Sequence, residues 1–251
     1  MSPEVHRAAA VGFQRGADAY RRGRPDYPPE AIDFVVHEAG IGPGRQVLDL
    51  AAGTGALTRS LVETGAWVAA AEPIEAMRSI LAASVHGAYP CAAVAEALPF
   101  ANGTFDAVTV AQAFHWFDAS RARDEVRRVL RGRGHLVAMW NVRDDDDPLH
   151  ADLTALMQPY REATPSHRGE AWRAAFDGSS GFEPLERSSF SMAHRVDPDG
   201  LVDRVLSVSF MAALEEAERT VVEQRVRTLA GDRAEIVLPY RTEVWATTRT
   251  D

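Results

Sequence analysis

The chain has 251 residues, 46% of them hydrophobic and 25% charged, a balance suited to one sizeable folded core rather than to a disordered or fibrous protein. Its formal charge of −9, with 36 acidic side chains against 27 arginines and no lysine, argues against nucleic acid as a partner, because phosphate binding relies on a positive field. Cys91 is the only cysteine, which excludes an intrachain disulfide and a cysteine-rich metal site. No apolar run approaches the roughly 18 residues of a membrane span and no signal-peptide centre is evident, so a cytoplasmic protein that does not engage the membrane is expected.

Residues 7–20 are alanine-rich and read as a short helix, after which Arg24-Pro25-Asp26-Tyr27-Pro28-Pro29 forces an extended, turning segment. Ile32, Val35, Val36 and Ala39 then recur at helical spacing, with Gly40 suited to the position past the helix end. The segment 46–50 is the first core strand and runs into the small-residue turn Ala51-Ala52-Gly53-Thr54-Gly55, which opens a helix marked by Leu57 and Leu61. Such a turn lets a ligand lie against the backbone and the unpaired amides of a helix start, the geometry of a nucleotide pocket. A second apolar strand, 67–71, ends in Glu72, and Pro73 and Ile74 start a helix carrying Met77 and Leu81. Further strands are expected over 89–94, 105–110 and 133–141, with Asp118 capping the helix between the last two.

Strands alternating with helices predict an α/β fold: a Rossmann-like, doubly wound sheet, mostly parallel, whose ligand lies at the carboxyl ends of the strands. Beyond 141 the rhythm breaks. An amphipathic helix is expected around 153–160, a strand over 182–196, helices over 199–211 and 214–230, and a last strand over 235–249, the two late strands pairing antiparallel at the sheet edge as strands six and seven. The whole reads as a single domain, residues 1–251, with an N-terminal cap (1–28), a ligand-binding core (29–141), a lid with substrate-side elements (142–234) and the last strand (235–251).

A dinucleotide fingerprint would place a third glycine where Thr58 stands, and an acid precedes this loop at Asp49. Glu72 at the end of the second strand is placed to accept hydrogen bonds from both hydroxyls of a ribose. A ribose reader beside a loop without the dinucleotide signature points to an adenosine ligand that has no pyrophosphate.

Several motifs together resemble the class I S-adenosylmethionine-dependent methyltransferases, in particular the small-molecule group related to the ubiquinone/menaquinone and trans-aconitate enzymes. They are Val47-Leu48-Asp49-Leu50-Ala51-Ala52-Gly53-Thr54-Gly55, Glu72-Pro73, Ala95-Glu96-Ala97-Leu98-Pro99-Phe100, Phe105-Asp106-Ala107-Val108 and Ala111-Gln112-Ala113-Phe114-His115-Trp116-Phe117, with Tyr20 and Arg24-Pro25 in the entry segment. The chain departs from the pattern at Ala51, where the family's first loop glycine stands, and at Val94, where an acid often precedes the adenine-side motif. The resemblance implies that S-adenosylmethionine is held by Tyr20, Asp49, Ala51, Gly53, Gly55, Glu72, Pro73, Met77, Ala95, Glu96 and Gln112. It also implies methyl transfer to a small organic acceptor by in-line displacement.

His115, after the fourth strand, is the candidate general base, which inclines the expectation toward O-methylation. Trp116 and Phe117 either line the acceptor pocket or pack as core aromatics, and Phe210 has the same two readings. The acidic run 144–147 points its charges in different directions and is expected to be solvated, so no metal is foreseen. Arginines 121–133 are interleaved with Asp124 and Glu125, the pattern of an outer helix face, which makes an RNA methyltransferase the weaker reading. A protein of this fold that binds the cofactor without transferring methyl is the alternative from another class. The acceptor, the methylated atom and the oligomeric state are left open by these residues.

Overall fold

The computed structural model of the chain describes residues 14, 17, 20–161, 165, 171–178 and 181–251. Residues 14, 17 and 20–23 are helical, and the rest of the helix expected over 7–20 lies outside the described residues. There follow α1 (Pro29–Glu38), β1 (Gln46–Leu50), α2 (Ala56–Glu63), β2 (Trp67–Ala71), α3 (Glu75–Ser84), β3 (Ala88–Cys91), β4 (Phe105–Ala111), α4 (Ala119–Val129) and β5 (Leu130–Arg143). The chain continues with α5 (Pro148–Met157), α6 (Ala171–Ala174), β6 (Glu186–Val196), α7 (Pro198–Leu206), α8 (Ser209–Ala212), α9 (Glu216–Ala230) and β7 (Ile236–Thr248). The strands form one seven-stranded sheet in the order β3-β2-β1-β4-β5-β7-β6. It is parallel from β3 to β5, while β7 runs antiparallel to both its neighbours and β6 closes the edge.

The two faces of the sheet follow from the two-residue period of a strand. Val47, Ala107, Val137 and Met139 turn to one face and meet Ala31 and Val35 of α1 and Leu57 and Leu61 of α2. Leu48, Leu50, Val108, Val110, Leu136 and Trp140 turn to the other and meet Val126 of α4 and Trp172 of α6. Helices cover both sides of the central strands, so β1 and β4 are buried almost continuously; β6 and β7 alternate because one of their faces is less covered. A third apolar cluster joins α5, α7 and α9 to Ile236, Leu238 and Tyr240 at the start of β7. This builds a small helical layer over the carboxyl end of the sheet.

Among the boundaries that differ from expectation, three have a local cause in the structure. The strand foreseen over 89–94 stops at Cys91, because the chain turns there and makes an isolated bridge between Val94 and Ala97. The helix foreseen from Pro73 begins at Glu75: Ile74 is still extended, and its amide donates to the Glu72 carboxylate instead of entering the helix. The helix foreseen over 199–211 is two helices, separated where Ser207 Oγ donates to the Arg204 carbonyl at 2.7 Å and Val208 becomes extended. No helix among the described residues is long and apolar enough to cross a membrane.

Candidate active site

Parallel strands bring their carboxyl ends to one rim of the sheet, and the loops that leave β1, β2, β3 and β4 there enclose a cavity of about 720 Å³. Its floor is built by Glu72. One carboxylate oxygen accepts the Gly53 amide and the other the Ile74 amide, each at 2.8 Å, so the acid at the end of β2 clamps the loop that follows β1. Each oxygen keeps a lone pair beyond its amide, which leaves room for a ligand diol. Burial raises the Glu72 pKa above the usual carboxylate value, against the amides of Ile74 and Gly53, which lower it.

Two residues, one from the loop after β1 and one from the loop after β4, sit in the left-handed region although neither is glycine. Ala51 has φ +55, so the departure from glycine is accommodated in left-handed backbone rather than in ordinary L-residue geometry. Gln112, after β4, has φ +61 and a backbone amide bonded to the Met139 carbonyl at 2.8 Å. Both line the cavity, as backbone held in sparsely populated conformations often does at binding sites.

Asp49 lies behind this wall rather than in it. Its carboxylate accepts the Thr58 hydroxyl at 2.6 Å and the Thr109 hydroxyl at 3.0 Å, pinning β1 to the start of α2 and to β4. Burial pushes its pKa up to about 6, although the two threonine hydroxyls pull it down. The folded pKa exceeds the ordinary 3.8, so this group's stability contribution is complete below about pH 4 and is lost as pH rises through about 6. Asp49→Asn is therefore expected to match the wild type near pH 3 and to exceed it near pH 8 by up to about 3 kcal/mol, since one pKa unit is about 1.4 kcal/mol. Urea unfolding across that range measures it, and a gain that does not grow with pH refutes the buried charge. Gly55 also stands behind the wall, at the N-cap of α2 with φ +88.

The other foreseen ligand residues divide between two cavities. Pro73, Met77, Ala95 and Glu96 line the first, and Glu96 additionally accepts the Asp118 amide at 2.8 Å, joining the adenine-side loop to α4. A second, open cleft of about 1100 Å³ contains His115 and Phe210, and it shares Tyr20, Gln112 and Trp116 with the first. Phe117 lines the first cavity and not the second: the short 3₁₀ turn Phe114–Trp116 ends before it, and its extended backbone turns the ring back beside Phe114. Of its two foreseen readings, the ring packs with the core aromatics and faces the first cavity rather than the second. Asn141, Arg24 and Arg204, which the sequence reading did not single out as site residues, also line the second cleft. Asn141 donates to the carbonyls of Pro25 and Asp26 and accepts the Thr242 hydroxyl, stitching the entry segment to β5 and β7.

His115 carries a constraint that bears on its chemistry. Trp140 Nε1 donates to His115 Nδ1 at 3.3 Å, and an indole N–H can only donate, so the neutral ring has its proton on Nε2. In that tautomer Nε2 is a hydrogen-bond donor. The base foreseen at this position would have to surrender the Trp140 contact before accepting a proton.

The acidic run serves locally: Asp147 caps α5 by accepting the His150 amide, Asp144 accepts the Asp146 amide, and Asp145 faces the second cleft. Three arginines from α4 and the start of β5 are engaged within the molecule, Arg128 with Glu125 and three loop oxygens, Arg131 with Asp106, and Arg133 with Glu183.

Residues 48–138 match a family model described as a methyltransferase domain. An uncharacterized methyltransferase of Mycobacterium tuberculosis is 37% identical over 223 residues, which is 89% of this chain and 87% of that protein. A demethylmenaquinone methyltransferase of Mycolicibacterium paratuberculosis is 45% identical over 100 residues, 39% of this chain and 42% of its own length. Among solved structures, the YcgJ protein of Bacillus subtilis shares the fold with a TM-score of 0.59 at 18% identity, over 88% of this chain and 99% of that one.

Proposed function

Because the chain belongs to the class I S-adenosylmethionine-dependent methyltransferases, we propose that it moves a methyl group from S-adenosylmethionine in the first cavity to the oxygen of a small-molecule acceptor in the second. The observation that carries this reading is that the two cavities meet at Tyr20, Gln112 and Trp116, so a donor and an acceptor can approach through a shared wall.

The residues of the first cavity suit the cofactor: Glu72 offers a carboxylate to a ribose, Gly53 leaves its Cβ position open, and Ala95 and Met77 supply apolar surface for a base. When bound, S-adenosylmethionine supplies an electrophilic methyl on a positively charged sulfur that becomes neutral on transfer. Trp116 and Tyr20 flank the junction, where excluding water favours that loss of charge, and holding the two reactants in line contributes much of the acceleration. His115 acts as a positioning residue that donates through Nε2. An acceptor oxygen that enters already deprotonated suits it, because an oxyanion has one lone pair for attack and another to accept from His115 and leaves no proton to be removed in the step, whereas a neutral amine has only one lone pair. In this reading residues 142–234 form the acceptor-side lid of a single domain.

Mass spectrometry of the full chain incubated with S-adenosylmethionine and a metabolite extract tests the reaction. The expected result is S-adenosylhomocysteine together with a methylated metabolite; tight cofactor binding with no product refutes it. With the acceptor so identified, His115→Ala is expected to lower kcat/KM about 10-fold, the worth of one hydrogen bond, and His115→Gln, whose amide still donates, to restore most of it. If both variants fall by roughly 10²–10⁴, the histidine is a general base after all.

A further inference from the structure

The entry segment is docked onto α7 with little freedom. Gly23 lies so close to that helix that a Cβ would stand 2.3 Å from the Asp203 carbonyl oxygen and 2.6 Å from the Arg204 amide, and Arg22 reinforces the contact by pairing with Asp203 at 2.7 Å. The docking brings two arginines 180 positions apart in sequence to one wall of the second cleft. Arg24 lies over the Tyr20 ring, 4.8 Å from its centre, and reaches the Ser207 carbonyl at 3.4 Å. Arg204, 6% exposed, donates to the Tyr240 hydroxyl at 2.8 Å and approaches Ser207 Oγ at 3.4 Å.

Every polar partner given to these two guanidinium groups is neutral. Among the described residues no carboxylate pairs with Arg24 or Arg204, and Arg24 Nε is buried with no hydrogen-bond partner. An arginine cannot escape this by losing its proton at ordinary pH, so the buried Arg204 cation and the partly exposed Arg24 beside it, whose Nε is enclosed, are left to be compensated from outside the fold. Burial lowers the Arg24 pKa, and the neighbouring Arg204 lowers it further. The same cleft is lined by Arg143 and Arg161 and by a single described carboxylate, Asp145, in a chain whose net charge is −9. The positive field is therefore local to the acceptor cleft.

We infer that the acceptor carries an anionic oxygen group, a carboxylate, phosphate or sulfate, seated between Arg24 and Arg204 near Ser207. The inference rests on the methyl-transfer reading for the word acceptor, while the anion site itself does not. Guanidinium groups match such oxyanions by paired, charge-assisted hydrogen bonds. Tyr20 ties the anchor to the reaction, because it carries Arg24 on its ring and also lines the junction with the donor cavity. The anion thus fixes one end of the acceptor while another part reaches the shared wall.

Calorimetric titration of the full chain, loaded with S-adenosylhomocysteine, with benzoate, phenyl phosphate, phenyl sulfate and neutral benzamide tests the site without turnover. At least one anionic probe is expected to bind and benzamide not, and the probe that binds identifies the oxyanion. Arg24→Gln is expected to weaken that binding by roughly 10-fold or more, as the loss of a charged hydrogen-bonding partner does, with S-adenosylhomocysteine still bound. Arg24→Lys, which keeps the charge, is expected to recover part of it. Arg204→Gln should act in the same direction, and Arg24→Gln stands as the independent variant should loss of the Tyr240 contact disturb folding. Equal binding of benzamide, no binding of any probe, or anion binding unchanged in Arg24→Gln overturns the inference. Anion binding that depends on Arg24, without methylated product from any extract, overturns methyl transfer and leaves the site; a methylated product from a neutral acceptor overturns the anion as anchor and leaves methyl transfer.

Discussion

Glu72→Ala is expected to weaken S-adenosylhomocysteine binding by roughly 10²–10⁴-fold, the largest loss foreseen for any single cofactor-side substitution. The carboxylate has two tasks, and alanine removes both. Two ligand hydroxyls lose charge-assisted hydrogen bonds of about 1.5–3 kcal/mol each, and each 1.4 kcal/mol is a factor of ten in affinity. The amides of Gly53 and Ile74 also lose the oxygens that hold them at 2.8 Å, so the loop after β1 is no longer clamped to the end of β2. Glu72→Gln separates the tasks, since one amide oxygen still accepts from one backbone N–H while the negative charge is gone; an intermediate affinity is expected. Because burial raises the Glu72 pKa, wild-type affinity is also expected to decline on acidification at a higher pH than for an ordinary carboxylate. Calorimetry across pH reads all three, and unchanged affinity in the alanine variant removes Glu72 from the site.

Gly55→Ala is expected to destabilise the fold by about 2–5 kcal/mol, whereas Gly53→Ala, two residues earlier, costs only about 1–2 kcal/mol. Both glycines have positive φ, +88 and +59, so both alanines carry the left-handed penalty. They differ in what surrounds them. A Cβ on Gly55 would lie 2.7 Å from Val85 Cγ2 and 3.1 Å from Leu81 Cγ, side chains that are themselves 4% and 0% exposed and have nowhere to move. A Cβ on Gly53 meets nothing nearer than Met77 Sδ at 4.0 Å. Urea unfolding midpoints at constant slope measure the difference. Val85→Ala in the Gly55→Ala background should return part of the loss through a coupling energy, and additive effects would show that Val85 is not the obstacle.

The pattern of residues foretold most of the fold because most of its signals are local. Val47 and Leu48 turn to opposite faces by strand periodicity alone, and Asp118 caps α4 by accepting the Arg121 amide three residues on. Where expectation and structure part, a side-chain hydrogen bond to nearby backbone competes with the regular pattern. The Ser207 hydroxyl turns back onto Arg204 and the extended Val208 divides a helix that periodicity alone would continue, and the Glu72 carboxylate takes an amide that would otherwise open α3.

The same division runs through the site. Gly53, Gly55 and Glu72 were legible because a strand, a tight turn and a strand-end acid follow one another along the chain, and the parallel pairing of β1 with β2 carries them to one rim. That much, a glycine turn and a strand-end acid at the carboxyl rim of an α/β sheet, the sequence by itself determined. The direction of His115 Nδ1 toward Trp140, the turn of Phe117 to the first cavity, the left-handed Ala51 and the seating of Asp49 behind the wall each depend on atoms that no spacing reveals. The meeting of Arg24 with Arg204 is the extreme case. An arginine reads from sequence as one more solvated charge, and only the docking of Gly23 against α7 sets the enclosed Nε of Arg24 beside the buried Arg204 with no carboxylate among the described residues to pair with either. Tertiary structure alone decided that, because burial and the distance between charges are properties of packing rather than of order along the chain.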